Sequence, residues 1–345
     1  MKKEIFDFYL GLMSIESTSG REARLSEYIR HTVCYKNAKL DIQQVGDGSE
    51  NLFFKWGDPK IIFCTHMDTV PPYIPPTVSY NSKNNLIDDA TVWGRGSCDA
   101  KGQIVSQYAL SLELEKEGYS NFGILWVSGE ETGSIGARQA NPMINDCEYI
   151  IVGEPTENLL ISAAKGTALY KVKIEGKGTH SGYPLNGDDA IKKFDDFYHK
   201  LCNLKFPFDN ILGDTSWNIG MLSSQNAFNI VPSLVEFSLY VRTTFASEKA
   251  VDSLLQELSA KDTVLLPISK SEPIMFHTEE GFNQGIVSFG SDAPLFTNVP
   301  SKLLYGPGSI FNAHTESERL TIKEIDKAVK DLKTLYLKLK KRIVC

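Results

Sequence analysis

A chain of 345 residues is long enough to bury a sizeable core and to divide into two domains. Its 42% hydrophobic and 23% charged residues are those of an ordinary globular protein, and a formal net charge of −7 excludes the basic footprint of a nucleic-acid or anionic-membrane partner. No stretch approaches the roughly eighteen apolar residues of a membrane span, and the opening MKKEIFDFYLGL reads as an amphipathic helix rather than a signal peptide, so a cytoplasmic location is expected.

Apolar spacing predicts helices over 4–15 and 21–33, the second with Ser17, Thr18 and Ser19 as candidate caps. Short strands follow near 40–44 and 52–55, then a buried strand over 61–65. Residues 100–118 read as a helix that stops at Gly118, and NFGILWVSGEE and YIIVGEP as two further buried strands. Apolar strands interleaved with helices predict an α/β domain with a mostly parallel sheet covered on both faces. From about Gly166 the pattern changes to strand, helix, strand, strand, helix, strand. That is an α+β module of the split βαβ kind, inserted in the larger domain. Past residue 272 the first domain resumes, with SKLLYGPGS as a strand and TIKEIDKAVKDLKTLYLKLKK as a closing amphipathic helix. The expected division is therefore 1–166 with 273–345, and 167–272. The six cysteines (Cys34, Cys64, Cys98, Cys147, Cys202 and Cys345) form no CxxC pair and are expected to be reduced, Cys98 serving only in packing.

The buried strands all end in charged residues. In IIFCTHMDTVPP, His66 and Asp68 are two apart, so in extended chain they share a face at the carboxyl end of their strand, where open α/β sheets place ligands. A merely polar loop entrance is the plainer alternative for this stretch alone. Asp99 follows in VWGRGSCDAKG, Glu130 and Glu131 in LWVSGEETGS, Glu154 in IIVGEPT and His314 in YGPGSIFNAHTESE. One such acid is a loop residue or a cap. Several converging on one crevice repel one another unless a cation sits among them. Imidazole and carboxylate without thiolate suit zinc or a related transition ion. Glu130 and Glu131 are neighbours and point different ways, so one would ligate while the other faces substrate as a general base. His31, His199 and His277 have no such surroundings and read as surface or satisfied core.

The order HxD, GRGSCDxKG, EE, GEPT and GPG…AH resembles the dinuclear zinc aminoacylase and carboxypeptidase family, which includes acetylornithine and acetyl-lysine deacetylases and succinyl-diaminopimelate desuccinylase. The resemblance runs over essentially the whole chain. It implies a zinc-exopeptidase-like catalytic domain with an inserted lid or dimerisation domain, two zinc ions per chain that cobalt can replace, and a homodimer through the lid. Carried over to these positions, it implies that His66 and Glu154 bind one zinc, Glu131 and His314 the other, and that Asp99 bridges both. Glu130 would be the base, Asp68 would orient His66, and the Asp99–Ala100 peptide would be cis. His180, in GKGTHSGYP, would stabilise the oxyanion, often from the partner subunit, and Asn229 and Arg242 match residues that hold substrate or lid. The implied substrate is a small N-acyl amino acid such as N-acetylornithine, deacylated (acetyl or succinyl) in arginine or lysine biosynthesis. The alternative is a di- or exopeptidase of the same family. Ala100 and Gly182 depart from the commoner residues of the family without removing a ligand.

Overall fold

The computed structural model describes residues 1–46, 48–81, 84 and 86–344; Cys345 lies outside them. The described residues form two units, one of Met1–Ser162, Phe276–Gly285 and the segment from Ser291 onward, the other of Ala163–Met275 and Ile286–Gly290.

The first unit begins with helices α1 (Lys3–Met13) and α2 (Ala23–Thr32) and strands β1 (Lys39–Val45), β2 (Ser49–Trp56) and β3 (Ile61–His66). Helix α3 (Lys101–Lys116) and strands β4 (Phe122–Val127) and β5 (Tyr149–Val152) follow. In the second unit come β6 (Gly166–Glu175), α4 (Ala190–Asn203), β7 (Ser216–Ser223), β8 (Leu234–Thr243), α5 (Val251–Gln256) and β9 (Thr263–Ser271). The first unit then resumes with β10 (Ser301–Leu304) and α6 (Ile322–Val344).

The central sheet runs in the order β1-β2-β4-β3-β5-β10. Its β4-β3-β5-β10 portion is parallel, and every residue of β3 and β4 is buried, as strands covered on both faces must be. The sheet is mostly parallel, as the sequence predicts, with an antiparallel edge. Strand β2 is antiparallel to both β1 and β4, and the sequence between β1 and β2 is far shorter than the crossover a parallel pair of consecutive strands needs. Around this sheet lies one apolar core, to which α1 contributes Phe8 and Leu12, α3 contributes Ile104 and Leu110, and α6 contributes Leu332, Leu335 and Leu339.

The predicted caps of α2 are not caps. Its N-cap position is Glu22, without a capping side-chain bond. Ser17 Oγ instead donates to Met67 O at 2.9 Å, and Ser19 Oγ to Asp68 Oδ2 at 2.7 Å. Both hydroxyls are drawn across to the loop that follows β3, Ser17 to a backbone carbonyl and Ser19 to a buried carboxylate, the stronger acceptor.

The second unit is a four-stranded sheet in the order β7-β8-β6-β9, every neighbour antiparallel. Burial alternates along β8, so Val235, Phe237, Leu239 and Val241 meet Phe197 and Leu201 of α4 and Val251 and Leu255 of α5. Helix α5 is shorter than EKAVDSLLQELSA predicts. The Thr244 N–H donates to Ser247 Oγ at 2.9 Å and ties the preceding residues into a turn, and bonds from Leu258 to Leu255 O and from Ser259 to Gln256 O wind the end tighter. Among the described residues no helix is long and apolar enough to cross a membrane.

Candidate metal centre

Four parallel strands each deliver chemistry at the carboxyl end. Strand β3 ends in His66, Glu130 and Glu131 follow β4, Glu154 follows β5, and the loop to His314 follows β10. Asp99 comes from the GRGSCD turn before α3. Gly94 in that turn has φ +128°, and a Cβ there would stand 3.0 Å from both Ile74 O and Pro75 O. The peptide between Asp99 and Ala100 is cis, as the sequence resemblance implies. Helix α3 braces the loops from behind. Gln103 Nε2 donates to Cys98 O at 2.9 Å and Pro307 O at 2.8 Å, and Gln107 Nε2 donates to Cys64 O at 2.8 Å.

The two oxygens of Asp99 face different histidines. Oδ1 lies 3.0 Å from His66 Nε2 and Oδ2 lies 3.2 Å from His314 Nε2. His314 Nε2 is also 2.9 Å from Glu131 Oε1. One ligand atom each from His66, Asp99 and Glu131 falls within 4.8 Å of the others. Glu154 is buried nearby in charge terms, and its Oε1 has no hydrogen-bond partner. A buried carboxylate oxygen left over near the His66 imidazole and further acids is what a divalent ion would engage, and the thiolate-free donor set fits a transition metal.

Electrostatics agree with that reading. Burial works against a charged His66, but hydrogen bonds to Asp68 and Asp99 overcome it and raise its pKa well above the usual value. For His314 the hydrogen bonds to Asp99 and Glu131 dominate and push it up to about 10. Asp99 is desolvated, yet both histidines hold its carboxyl below the usual carboxylate range. Desolvation raises Glu130 and Glu154 well above theirs, with neighbouring acids adding to the effect. Positive charge is favoured between these histidines and acids, where a cation would sit.

Asp68 does more than the sequence predicts. His66 Nδ1 is 3.0 Å from the Asp68 backbone carbonyl and 3.4 Å from Oδ1. The carboxylate accepts the backbone N–H of Glu130 on Oδ1 at 3.0 Å and that of Glu131 on Oδ2 at 3.1 Å, beside the Ser19 hydroxyl.

The remaining predicted residues lie in the second unit. His180 and Asn229 are brought together: His180 bridges to Ile230 and the Ser181 N–H donates to Asn229 O at 2.9 Å. Both side chains are exposed. Arg242 stands over the Tyr240 ring at 4.7 Å, near the far end of β8 from Asn229. At about 3.3 Å per residue the two ends of that strand are roughly 30 Å apart. One chain therefore does not bring His180 and Arg242 together. Three participants went unread in the sequence: Ser19, buried Arg95 and buried Glu318, the last two inside motifs chosen for Asp99 and His314.

Residues 162–262 match the M20 family's Peptidase dimerisation domain. A protein of Aspergillus clavatus described as "Probable carboxypeptidase" is 30% identical, the alignment covering 97% of this chain and 88% of the relative. A tripeptidase from Staphylococcus aureus has the same fold, with TM-score 0.77, 19% identity and 96% of each chain covered. So does a dinuclear metal-binding M20 peptidase from Bacillus subtilis, with TM-score 0.65, 13% identity and 95% of each chain covered. The fold is that of a metallopeptidase catalytic domain carrying an inserted dimerisation domain, and the identity to the carboxypeptidase-like relative extends over nearly the whole length; this chain belongs to the M20 peptidase family.

Proposed function

We propose that this M20 hydrolase is a metal-dependent exopeptidase that cleaves the terminal amide of a short peptide and grips the carboxylate of the residue it releases. The observation that carries the proposal is the division of Asp99 between His66 and His314. That arrangement suits a carboxylate bridging two ions, with His66 and Glu154 on one side and Glu131 and His314 on the other. Zinc fits these donors, and cobalt, of similar ligand preference, would replace it. When bound, such ions supply Lewis acidity to the scissile carbonyl and to the attacking water.

The chain's own residues do the rest. Glu130 accepts a proton from the attacking water and returns it to the leaving amine nitrogen. Its fixed backbone supports that role. Asp68 sets the backbone of the Glu130–Glu131 pair and the ring of His66 at once. Arg242, with its planar fork, suits a substrate carboxylate, and His180 with Asn229 suits the developing oxyanion. Because His180 and Arg242 lie at opposite ends of the same small sheet, they serve one substrate only if they come from two chains. The match to a dimerisation domain supports a homodimer in which the partner subunit's His180 completes the site.

The relatives favour a peptide over the N-acyl amino acid that the sequence motifs place first. The bond broken is an amide in both cases, so the substrate must be tested directly. Chelated enzyme reloaded with zinc or cobalt should release the C-terminal residue from N-blocked dipeptides and tripeptides, and not from their C-terminal amides. Cleavage of N-acetylornithine with every peptide inert would restore the deacylase reading. Full activity in the chelated protein would sink the metal-dependent one.

A further inference from the structure

Arg95 and Glu318 form a buried ion pair, Nη1 to Oε2 at 2.8 Å, with side chains 3% and 0% exposed. Such a pair loses so much hydration that apolar side chains of the same size stabilise a fold as well or better. Its geometry points elsewhere. The other carboxylate oxygen of Glu318, Oε1, accepts the backbone N–H of Cys98 at 3.2 Å and of Asp99 at 3.3 Å. Arg95 Nη1 also donates to Thr315 O at 3.1 Å, and its Nε to Pro72 O at 3.3 Å. One ion pair therefore touches three segments: the chain beyond His66 and Asp68, the turn that carries Asp99, and the loop that carries His314. Thr315 directly follows His314, whose φ of +62° lies in the left-handed region. A non-glycine residue persists there when its surroundings fix the peptides on either side.

We infer that the Arg95–Glu318 pair is the positioning clamp of the metal centre, holding His314 against Asp99 and so setting the affinity for the ion those two residues would share. The inference rests on the dinuclear reading proposed above. Glu318 reaches Asp99 by its amide and lies four residues beyond His314, while Arg95 holds the carbonyl next to His314. Loosening the pair lets the two ligands drift apart while His66 and Glu154 stay where β3 and β5 put them. The loss should fall mainly on the ion His314 would hold, since the other keeps His66 and Glu154 as ligands of its own.

The test is cobalt titration of the metal-free protein, followed by calorimetry and by the visible absorption of the bound ion. Glu318→Gln breaks the charge pair, and Arg95→Met with Glu318→Leu removes it without leaving a buried unpaired charge. The wild type should bind two equivalents. Both variants should bind the first with near-normal affinity and the second about tenfold or more weakly, with an altered spectrum for that equivalent alone. The melting temperature of the metal-free double variant should stay near that of the wild type. Affinities within about twofold for both equivalents in the folded double variant would overturn the clamp, as would failure of both variants to fold, which would assign the pair to folding. A wild type that takes up no cobalt would sink the metal centre itself, an outcome distinct from either.

Discussion

The backbone N–H of Glu130 donates to Asp68 Oδ1 at 3.0 Å, and the next amide in the chain reaches the other oxygen of the same carboxylate. An acid two residues beyond a candidate metal-binding histidine thus fixes the peptide of the candidate base. Asp68→Asn should lower kcat by about a hundredfold, since an amide group offers one acceptor where the two N–H groups need two. Metal content should be nearly unchanged, because His66 Nδ1 keeps the backbone carbonyl of residue 68. Steady-state kinetics beside metal analysis checks both halves; an unchanged kcat would remove Asp68 from the machinery.

Glu130→Gln should abolish proton transfer while leaving the ligand set whole, with kcat down about a hundredfold to ten-thousandfold and two metals per chain retained. If the variant is isolated with one metal fewer, Glu130 is a ligand and the base must be sought elsewhere.

Partner exchange gives the test of the dimer. His180→Ala and Glu130→Ala should each be inactive or nearly so as homodimers. Mixed and allowed to exchange, they should regain up to about a quarter of wild-type activity, since a heterodimer has one site with both functional groups. No recovery in a mixture shown by mass spectrometry to contain heterodimers would mean that each site is built from one chain.

Away from the centre, Glu279 is gripped by His277 Nε2 at 2.9 Å and by Arg342, whose Nε and Nη2 lie 2.8 and 3.1 Å from its two oxygens. Burial opposes the charge, but these bonds hold the carboxyl below its ordinary value of 4.5. The unfolded chain therefore binds a proton more readily than the folded one. The stability this residue contributes is present above about pH 4.5 and is lost as pH falls through the lower folded value. Glu279→Gln should cost about 1–2 kcal/mol at pH 7 and progressively less in acid. Urea unfolding at pH 7 and near pH 3 measures the difference; an equal cost at both would show that charge plays no part.

Much of this was legible because strands obey a period of two and buried strands are continuous. His66 and Asp68 announce a shared face, and the apolar runs at 61–65 and 122–127 announce a sheet covered on both sides. What stayed hidden depends on contacts between distant segments. Ser19 looks like a helix cap until a carboxylate 49 residues later claims it. Arg95 and Glu318 are 223 residues apart, and nothing local in GRG or TESE pairs them. The antiparallel pairing of β2 with β4 joins segments about 70 residues apart, and nothing local in either strand sets its direction. The separation of His180 from Arg242, by contrast, could have been counted from the ten residues of β8.

His314 meets Glu131 across 183 residues of sequence, and the whole second unit hangs between them. An ion held by both would be a non-covalent cross-link closing that long circuit. A protease that nicked an exposed turn of the second unit would then cut the chain without parting the ends, since the ion and the β5–β10 pairing would still join them. Synthesis meets the same arithmetic in reverse. Until residue 314 has left the ribosome, His66, Asp99, Glu131 and Glu154 lack the last donor, and capture of the ion that His314 would share belongs to the closing stage of the chain's assembly.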